Sequence, residues 1–405
     1  MKRILRAWVL ACALLPAVKA AGQGVDLPSI LLPQAKTLPA PDWLKEGVRL
    51  TYYSACATIA GSTDCYWRDE KGDWVGRNKE DMGLKYSHGE APRASGHGYT
   101  QIDVVALGDK VVLSTRSLGF FNGAVTQLAT VAYVALPGAG GEWWVNPKAL
   151  QGIQPQNTKE LVILPMPYKI GDKAYNTVRF QSYSKNGESG YNYDVATGIL
   201  VHSHYSASSR EKAFTWSGDT TSLGQNAFLG VRQLQIPWAN AAPPAWIATV
   251  KHFQYEGTTT TTVAGAGSYS FPGSVAIDVT DRGKNWLLFT ATSQTPGPAG
   301  LPATTNSCVL ASGSAQIGAL WLPPAAIPGL AVGMTIDKDP FAGSEIRVTF
   351  NGTLPNGAKA VVMKEDSAGY SNEWTYDAVS GVLQAIRQEN KALNIVIQVR
   401  LTQVN

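Results

Sequence analysis

The chain carries its own pattern twice. Pro41 and Trp43, followed by Tyr52, return as Pro244 and Trp246, followed by Tyr255. Ile102-Asp103-Val104, with Gly108 and then Val112-Leu113, returns as Ile277-Asp278-Val279, with Gly283 and then Leu287-Leu288. Trp144-Val145-Asn146-Pro147-Lys148-Ala149, with Gly152, returns as Trp321-Leu322-Pro323-Pro324-Ala325-Ala326, with Gly329. Tyr193-Asp194-x-x-Thr197-Gly198-x-Leu200 returns as Tyr376-Asp377-x-x-Ser380-Gly381-x-Leu383. Four matches in one order mark an internal duplication. Residues that both copies keep are what the fold needs; residues confined to one copy are candidates for function.

The duplication sets the organisation. Residues 42–237 form the first repeat, 238–244 a linker and 245–405 the second repeat, each long enough for its own core. Residues 21–41 read as an extended Pro-rich lead-in. Residues 1–20 have the layout of a secretory signal peptide: Lys2, Arg3 and Arg6, then an apolar run, then small residues around Ala20. Cleavage ahead of Cys12, with lipidation there, is a minor alternative because Arg6 leaves its apolar core very short. An exported, periplasmic or secreted protein with no integral membrane segment is therefore expected.

Helical periodicity is scarce and strand patterns dominate. Thr100 to Leu107 alternates, breaks at Gly108-Asp109-Lys110 and resumes through Val111 to Thr115, which is a hairpin with glycine in its turn. Asn176 to Tyr183 alternates as a half-buried strand does. The Trp-x-x-Pro-x-Ala segments are interrupted by proline and allow a single helical turn each. Strands joined hairpin to hairpin imply antiparallel sheets. The expected fold is all-β: two tandem, homologous antiparallel units, each a curved sheet or partial barrel.

Of 34 basic side chains, Lys2, Arg3, Arg6 and Lys19 lie in residues 1–20, so the rest of the chain balances 30 basic against 30 acidic groups. Such a chain has no charge excess for nucleic acid or an anionic membrane. Charged residues make up 16%, below the roughly 25% usual for soluble domains. Gly, Thr, Ser, Asn and Gln supply the polarity, as suits an envelope β-protein.

The landmark spacing locates two insertions in the first copy. The offset is 203 at Trp43/Trp246 and 175 at Ile102/Ile277, so about 28 extra residues lie between Tyr53 and Gly96. They include Cys56, Cys65, Tyr66, Trp67, Trp74 and His88. A loop closed by Cys56–Cys65 and carrying three aromatics is a candidate ligand-contacting lid; the plainer reading is a plug on its own sheet. Cys308 is then left over, and a buried free thiol is expected there. A second insertion, about 15 residues long, follows Leu200 and carries Trp216, a further binding candidate. It is preceded by His202-x-His204, which would share one strand face and could share a metal. The second copy has Ala385 and Arg387 there and no third ligand is near in sequence, so two solvated strand histidines are expected.

No nucleophile elbow, metalloprotease helix, paired-cysteine motif or phosphate loop occurs, and no cofactor is expected. Asp103 and Asp278 are kept by both copies and would be a carboxylate pair if catalytic, but their matching places beside a hairpin favour a structural role. Asp194 and Asp377 read as turn residues. The Tyr-Asp-x-x-Thr-Gly-x-Leu hairpin resembles one that recurs in bacterial envelope β-proteins, some similar to half-barrel lipoprotein carriers. The likeness is confined to the hairpin and implies a curved sheet around an apolar groove.

The function expected from these features is non-enzymatic binding of an apolar or lipid-like ligand in such a groove. Carbohydrate binding on aromatic rings, a structural role through edge-to-edge pairing, and hydrolysis at an unfamiliar site are the alternatives. Peptide mapping of the exported protein without reductant is expected to find Cys56 linked to Cys65, a loop worth about 2–3 kcal/mol. A linkage of Cys308 to either would overturn that pairing.

Overall fold

A computed structural model describes residues 36–60, 66–68, 74–77, 82–85, 94–121, 123–184, 187–213, 216–263, 267–295 and 304–405. At 56–60, 66–68, 74–77, 82–85, 94–95, 207–213, 216–223, 263, 295 and 304 the backbone alone is described. The expected signal peptide therefore lies outside the described residues. Among those described, no helix is long and apolar enough to cross a membrane.

The chain is nearly all strand. In order come β1 (Val48–Ala60), β2 (Tyr66–Arg68), β3 (Trp74–Arg77), β4 (Met82–Lys85), β5 (Ala94–Leu107), β6 (Val111–Phe121) and β7 (Ala124–Ala135). A single helical turn, α1 (Pro147–Leu150), precedes β8 (Gln156–Asn157), β9 (Leu161–Ile170), β10 (Lys173–Ser184), β11 (Gly187–Asp194), β12 (Leu200–Ala213) and β13 (Trp216–Gln233). The second half holds β14 (His252–Val263), β15 (Gly267–Arg282), β16 (Trp286–Thr295), β17 (Thr304–Gly313), β18 (Thr335–Asp339), β19 (Ser344–Thr353), β20 (Lys359–Asp366), β21 (Tyr370–Asp377), β22 (Leu383–Asn390) and β23 (Ile395–Val404).

These strands form two open, antiparallel sheets of ten. The first has the order β7-β6-β5-β1-β13-β12-β11-β10-β9-β8, the second β17-β16-β15-β14-β23-β22-β21-β20-β19-β18. Set aside β2–β4, which make a separate three-stranded sheet inside the first insertion, and the two orders are the same strand for strand. Each is a four-strand meander and a six-strand meander joined where the first strand pairs with the last. The second insertion is the long β12–β13 hairpin, whose pairing extends to Ala213↔Trp216.

The landmarks converge in space in both copies. Trp43 donates its indole N–H to the Thr197 carbonyl at 2.8 Å, and Trp246 does the same to Ser380 at 2.9 Å. Trp43 stands edge-on to Trp144 at 6.0 Å, Trp246 to Trp321 at 6.1 Å. The Asp194 carboxylate accepts from the Thr197 amide and hydroxyl, and Asp377 accepts from those of Ser380. That is the local hydrogen bonding that suits aspartate to turns. Gly198 and Gly381 follow, at φ +72° and +74°. The Val145 amide donates to Gly198 and the Leu322 amide to Gly381, at 2.9 and 2.8 Å. Trp144, Trp321, Tyr193 and Tyr376 are fully buried by this arrangement.

The chain divides into two compact units. One comprises Met1–Trp43, Tyr52–Gly98 and Ala135–Leu229; the other comprises Leu44–Thr51, Tyr99–Val134 and Gly230–Asn405. The first buries Tyr52, Trp144, Phe180, Tyr193, Leu200 and Phe228. The second buries a core around Phe253, Leu287, Trp321, Val361, Met363 and Tyr376. Trp238, at the start of the segment read as a linker, belongs to that core.

Gly381 and Gly357 both have positive φ, +74° and +84°. A Cβ at Gly381 would lie 2.0 Å from the Leu322 carbonyl oxygen, whereas one at Gly357 meets nothing within 4 Å. Urea unfolding is expected to give a loss of about 1 kcal/mol for Gly357→Ala, the intrinsic left-handed cost. Gly381→Ala should lose at least about 3 kcal/mol, because backbone must move. Equal losses would sink the packing argument.

Candidate functional site

Three places carry ionisable groups away from bulk solvent, and their chemistry differs. The largest is in the second unit. Arg49 grips Asp103 with two hydrogen bonds, at 2.6 and 2.7 Å, and reaches Asp339 at 2.9 Å. Gln101 donates to Asp339 at 2.6 Å and accepts from Arg116. Arg116 forks onto Glu365 at 2.8 and 3.0 Å, and Glu365 also accepts from Ser344, Tyr370 and Asn372. Arg232 grips Asp337 at 2.6 and 2.8 Å. Burial alone would raise Asp339, yet Arg49, the Ala342 amide, Arg116 and Gln101 hold it down at about 2. Burial opposes ionisation of Glu365 too, and Arg116 and Tyr370 still keep it below the ordinary glutamate value. Each carboxylate here faces an arginine, as a structural ion network requires, and Asp339 and Glu365 are held below their ordinary values rather than poised near neutrality.

Asp103 thus has a structural partner, and so does Asp278, which lies 2.8 Å from His252 Nδ1. His252 stands at the register position that Arg49 holds in the first copy. The duplication keeps a base beside this aspartate, buried in one copy and exposed in the other.

The second place is the His202 strip in the first unit. His202 and His204 share a face, as expected, with rings 5.7 Å apart. They are not solvated: His202 stacks on Tyr168 at 5.0 Å, and both residues are half-buried. Glu188 comes to 3.7 Å from His204 Nε2. Among the described residues no three His, Cys, Asp or Glu side chains are grouped so as to hold a metal.

The third place is Glu142, which sequence reading passed over. It precedes Trp143 and Trp144 on the segment that the hairpin pins down: the Leu200 amide donates to the Trp143 carbonyl at 2.9 Å. Tyr193 donates its hydroxyl to the Glu142 carbonyl at 3.0 Å. The Tyr52 ring packs on Trp143 at 4.9 Å and on Phe228 at 5.5 Å, and Tyr175 meets Phe228 at 6.5 Å. Tyr191 stacks beside Tyr193 at 6.4 Å. Glu142 is half-buried, and desolvation of its side chain pushes its pKa up to about 7. The carboxyl lies near enough to Tyr52, Tyr191 and Tyr193 to help keep all three phenols protonated, burial being the larger cause. No hydrogen bond or ion pair reaches it from the described residues.

The second copy shows the same place with small apolar residues. Tyr376 donates to the Ala319 carbonyl at 2.9 Å, and the Leu383 amide to Leu320 at 2.9 Å. Ala319 and Leu320 therefore stand where Glu142 and Trp143 stand, and they are 2% and 5% exposed. The signal was in the sequence: aligning Trp144 with Trp321 sets Glu142 against Ala319.

The other expected site residues have partial accounts. Tyr66 and Trp67 lie on β2, Trp74 on β3 and Trp216 at the start of β13; their side chains fall outside the described residues. Cys56 lies on β1, while Cys65 and His88 are outside the described residues, as is the Cys56–Cys65 pairing. Cys308 is exposed, not buried as expected, because β17 is an edge strand. Its sulfur nevertheless lies 3.9 Å from the Ala291 carbonyl against β16, and this shielding raises its pKa. Such a thiol is a poor nucleophile.

Glu142 gives a pH signature. A folded pKa of about 7 against the ordinary 4.5 means that the native state binds the proton more tightly. Stability is then fullest below pH 4.5 and declines as pH rises to about 7. Glu142→Gln is expected to stabilise the protein by about 1–3 kcal/mol at pH 8 and not at pH 4. Urea melts at both pH values test this; a gain that is the same at pH 4 would refute it.

No known protein family matches this chain, and no curated protein matches it. What the Glu142 site does must follow from its own chemistry.

Proposed function

We propose that the protein is an exported, non-enzymatic binding protein of the bacterial cell envelope, and that its first repeat holds an apolar or lipid-like ligand. The observation that carries this reading is the difference between the copies. One scaffold, with the same hydrogen bonds, is closed by Ala319 and Leu320 in the second repeat. In the first it is lined by Tyr52, Trp143, Tyr175, Tyr191 and Phe228, with Glu142, Trp143 and Tyr175 part-exposed at its mouth. Two part-exposed rings, Trp143 and Tyr175, backed by buried aromatics, beside a copy that fills the matching place with Ala319 and Leu320, support a ligand site of mostly apolar lining.

Carbohydrate binding is the weaker reading. Among the described residues the strongly exposed rings are Tyr133, Tyr183 and Tyr269, and no tryptophan is among them. The secretory layout of residues 1–20 is what supports an envelope location, and the balanced charge argues against a polyanionic partner.

Native mass spectrometry of gently purified protein is expected to show an adduct that organic solvent extracts. If the first insertion acts as a lid, replacing Trp67 and Trp74 by Ala lowers retention roughly thirty-fold with the melting temperature kept, since an anchoring aromatic is worth about 2 kcal/mol. Undiminished retention in a stable variant would end the lid reading. Protein that carries no adduct and takes up no alkyl probe would end the binding reading.

A further inference from the structure

A sheet edge presents unpaired N–H and C=O groups to any strand that reaches it, so proteins blunt their edges with short strands, charge, proline or bulges. Each ten-stranded sheet here has two edges, and three of the four are managed. β8 is two residues long. β18 has five residues, carries Asp337, Lys338 and Asp339, and has a register break between Thr335 and Asp337. β7 is long and uncharged, but Gly369 abuts it. A Cβ at Gly369 would lie 2.1 Å from the Val125 carbonyl oxygen, and the Thr126 hydroxyl donates to the Gly369 carbonyl.

Among the described residues, β17 has none of these protections. Thr304–Gly313 contains no charged residue and no proline, and it pairs with β16 from Trp286↔Gly313 to Thr295↔Thr304 without a bulge. Its C-terminal half is anchored, Ala311 packing with Val105, Ala106 and Val112. Its other half is uncovered: Thr305, Asn306, Ser307, Cys308 and Val309 are all exposed. Successive side chains of a strand point to opposite faces, so both faces are open along this stretch. No described strand pairs with its outer side.

The chemistry of the stretch selects its partner. Main-chain hydrogen bonds are common to all sequences, and a foreign strand is told apart by side-chain pockets beside the edge. A run of exposed residues offers no such pockets. A second β17 needs none, because symmetry sets the register. The stretch has no charge to oppose itself. Run antiparallel about Ser307, Thr305 meets Val309 of the second copy, Asn306 meets Cys308, and Ser307 meets Ser307. Cross-strand hydroxyl and β-branched pairs of this kind are favourable, and Ser307 makes one within the sheet, with Thr292 at 2.9 Å. Head-to-tail growth would need the other edge of this sheet, β18, which is short, charged and bulged. Pairing therefore closes at two copies.

We propose that β17 is a dimerisation edge, at which the Thr305–Val309 stretches of two copies pair antiparallel about a two-fold at Ser307. The proposal is independent of the ligand reading above.

Sedimentation equilibrium of the whole exported protein is expected to show a monomer–dimer equilibrium. Ser307→Lys and Ser307→Glu each set like charges opposite one another. Each should weaken the dimer about fivefold or more and leave the circular dichroism of the folded protein unchanged. Mixing the two variants should restore association. Cys308 reports the geometry, since pairing about Ser307 sets the two Cys308 Cα atoms on a diagonal about 7–8 Å apart. A short bismaleimide should link copies of the unaltered protein and link fewer copies of Ser307→Lys. A protein that stays monomeric at about 0.2 mM overturns the proposal. So does a dimer that the folded Ser307→Lys variant leaves unchanged, or a mixture of the Lys and Glu variants that associates no better than either alone.

Discussion

A Cβ added to Gly198 would stand 1.8 Å from the carbonyl oxygen of Val145, and one added to Gly381 would stand 2.0 Å from that of Leu322. This close approach of two backbones is the constraint on which each repeat depends. It lets the turn after β11 or β21 dock on the segment that carries Trp144 or Trp321 through main-chain hydrogen bonds. Docking buries that tryptophan beside Trp43 or Trp246 and sets the first tyrosine of the Tyr-Asp hairpin beneath it. Glycine is required twice over, for positive φ and for the missing side chain. Aspartate four residues earlier is required because it bonds the turn's amide and hydroxyl. Two copies that have diverged elsewhere keep the motif because no partial version of it closes.

Once that frame is fixed, the copies differ in how they use shielded polar groups. In the second unit, arginines from β1, β6 and β13 meet carboxylates from β5, β18 and β20. By landmark offset Arg49, Asp103 and Arg232 correspond to His252, Asp278 and Arg400, but Arg116 corresponds to Ala291 and Glu365 to Ser182, so the Arg116–Glu365 half has no counterpart. That half is thus a property of one set of strands and not of the repeat. Each of the network's carboxylates is paired with an arginine. Removing one partner would leave the other charge buried, at a cost of about 3–5 kcal/mol, whereas the intact network adds little over an apolar core. Its contribution is to fix which strands pack together.

Much of the fold was legible because it is written in local chemistry. The hairpin at Gly108-Asp109-Lys110, the alternation from Asn176 to Tyr183 and the two Asp-x-x-Thr/Ser-Gly turns each occupy a few consecutive residues, and the strands fall there. The repeat itself could be read by alignment of the chain with itself. What stayed hidden depends on residues far apart. Arg49 and Asp339 are 290 residues apart in sequence, Arg116 and Glu365 249 apart, and no window of sequence joins them. His202 and His204 share one face as strand period places them, but the stacking of His202 on Tyr168 depends on three intervening pairings between β9 and β12. Cys308 was misjudged because cysteine is usually buried, and only the strand order reveals that β17 is an edge. Glu142 was missed because a single acidic residue beside two tryptophans has no motif; its meaning comes from the alanine that replaces it.

That replacement separates architecture from use. A shielded carboxylate with partners, such as Glu365, is explained once its partners are named. A shielded carboxylate without them lowers stability above neutral pH, and a small apolar residue was available at the same place in the other copy. The rigid hairpin clamp makes the difference possible, because the backbone of Glu142 and Trp143 is held by Tyr193 and Leu200 whatever their side chains do. The same clamp in the second copy carries only packing. A duplicated fold can therefore vary the side chains at Glu142 and Ala319 while the frame that holds both segments stays the same.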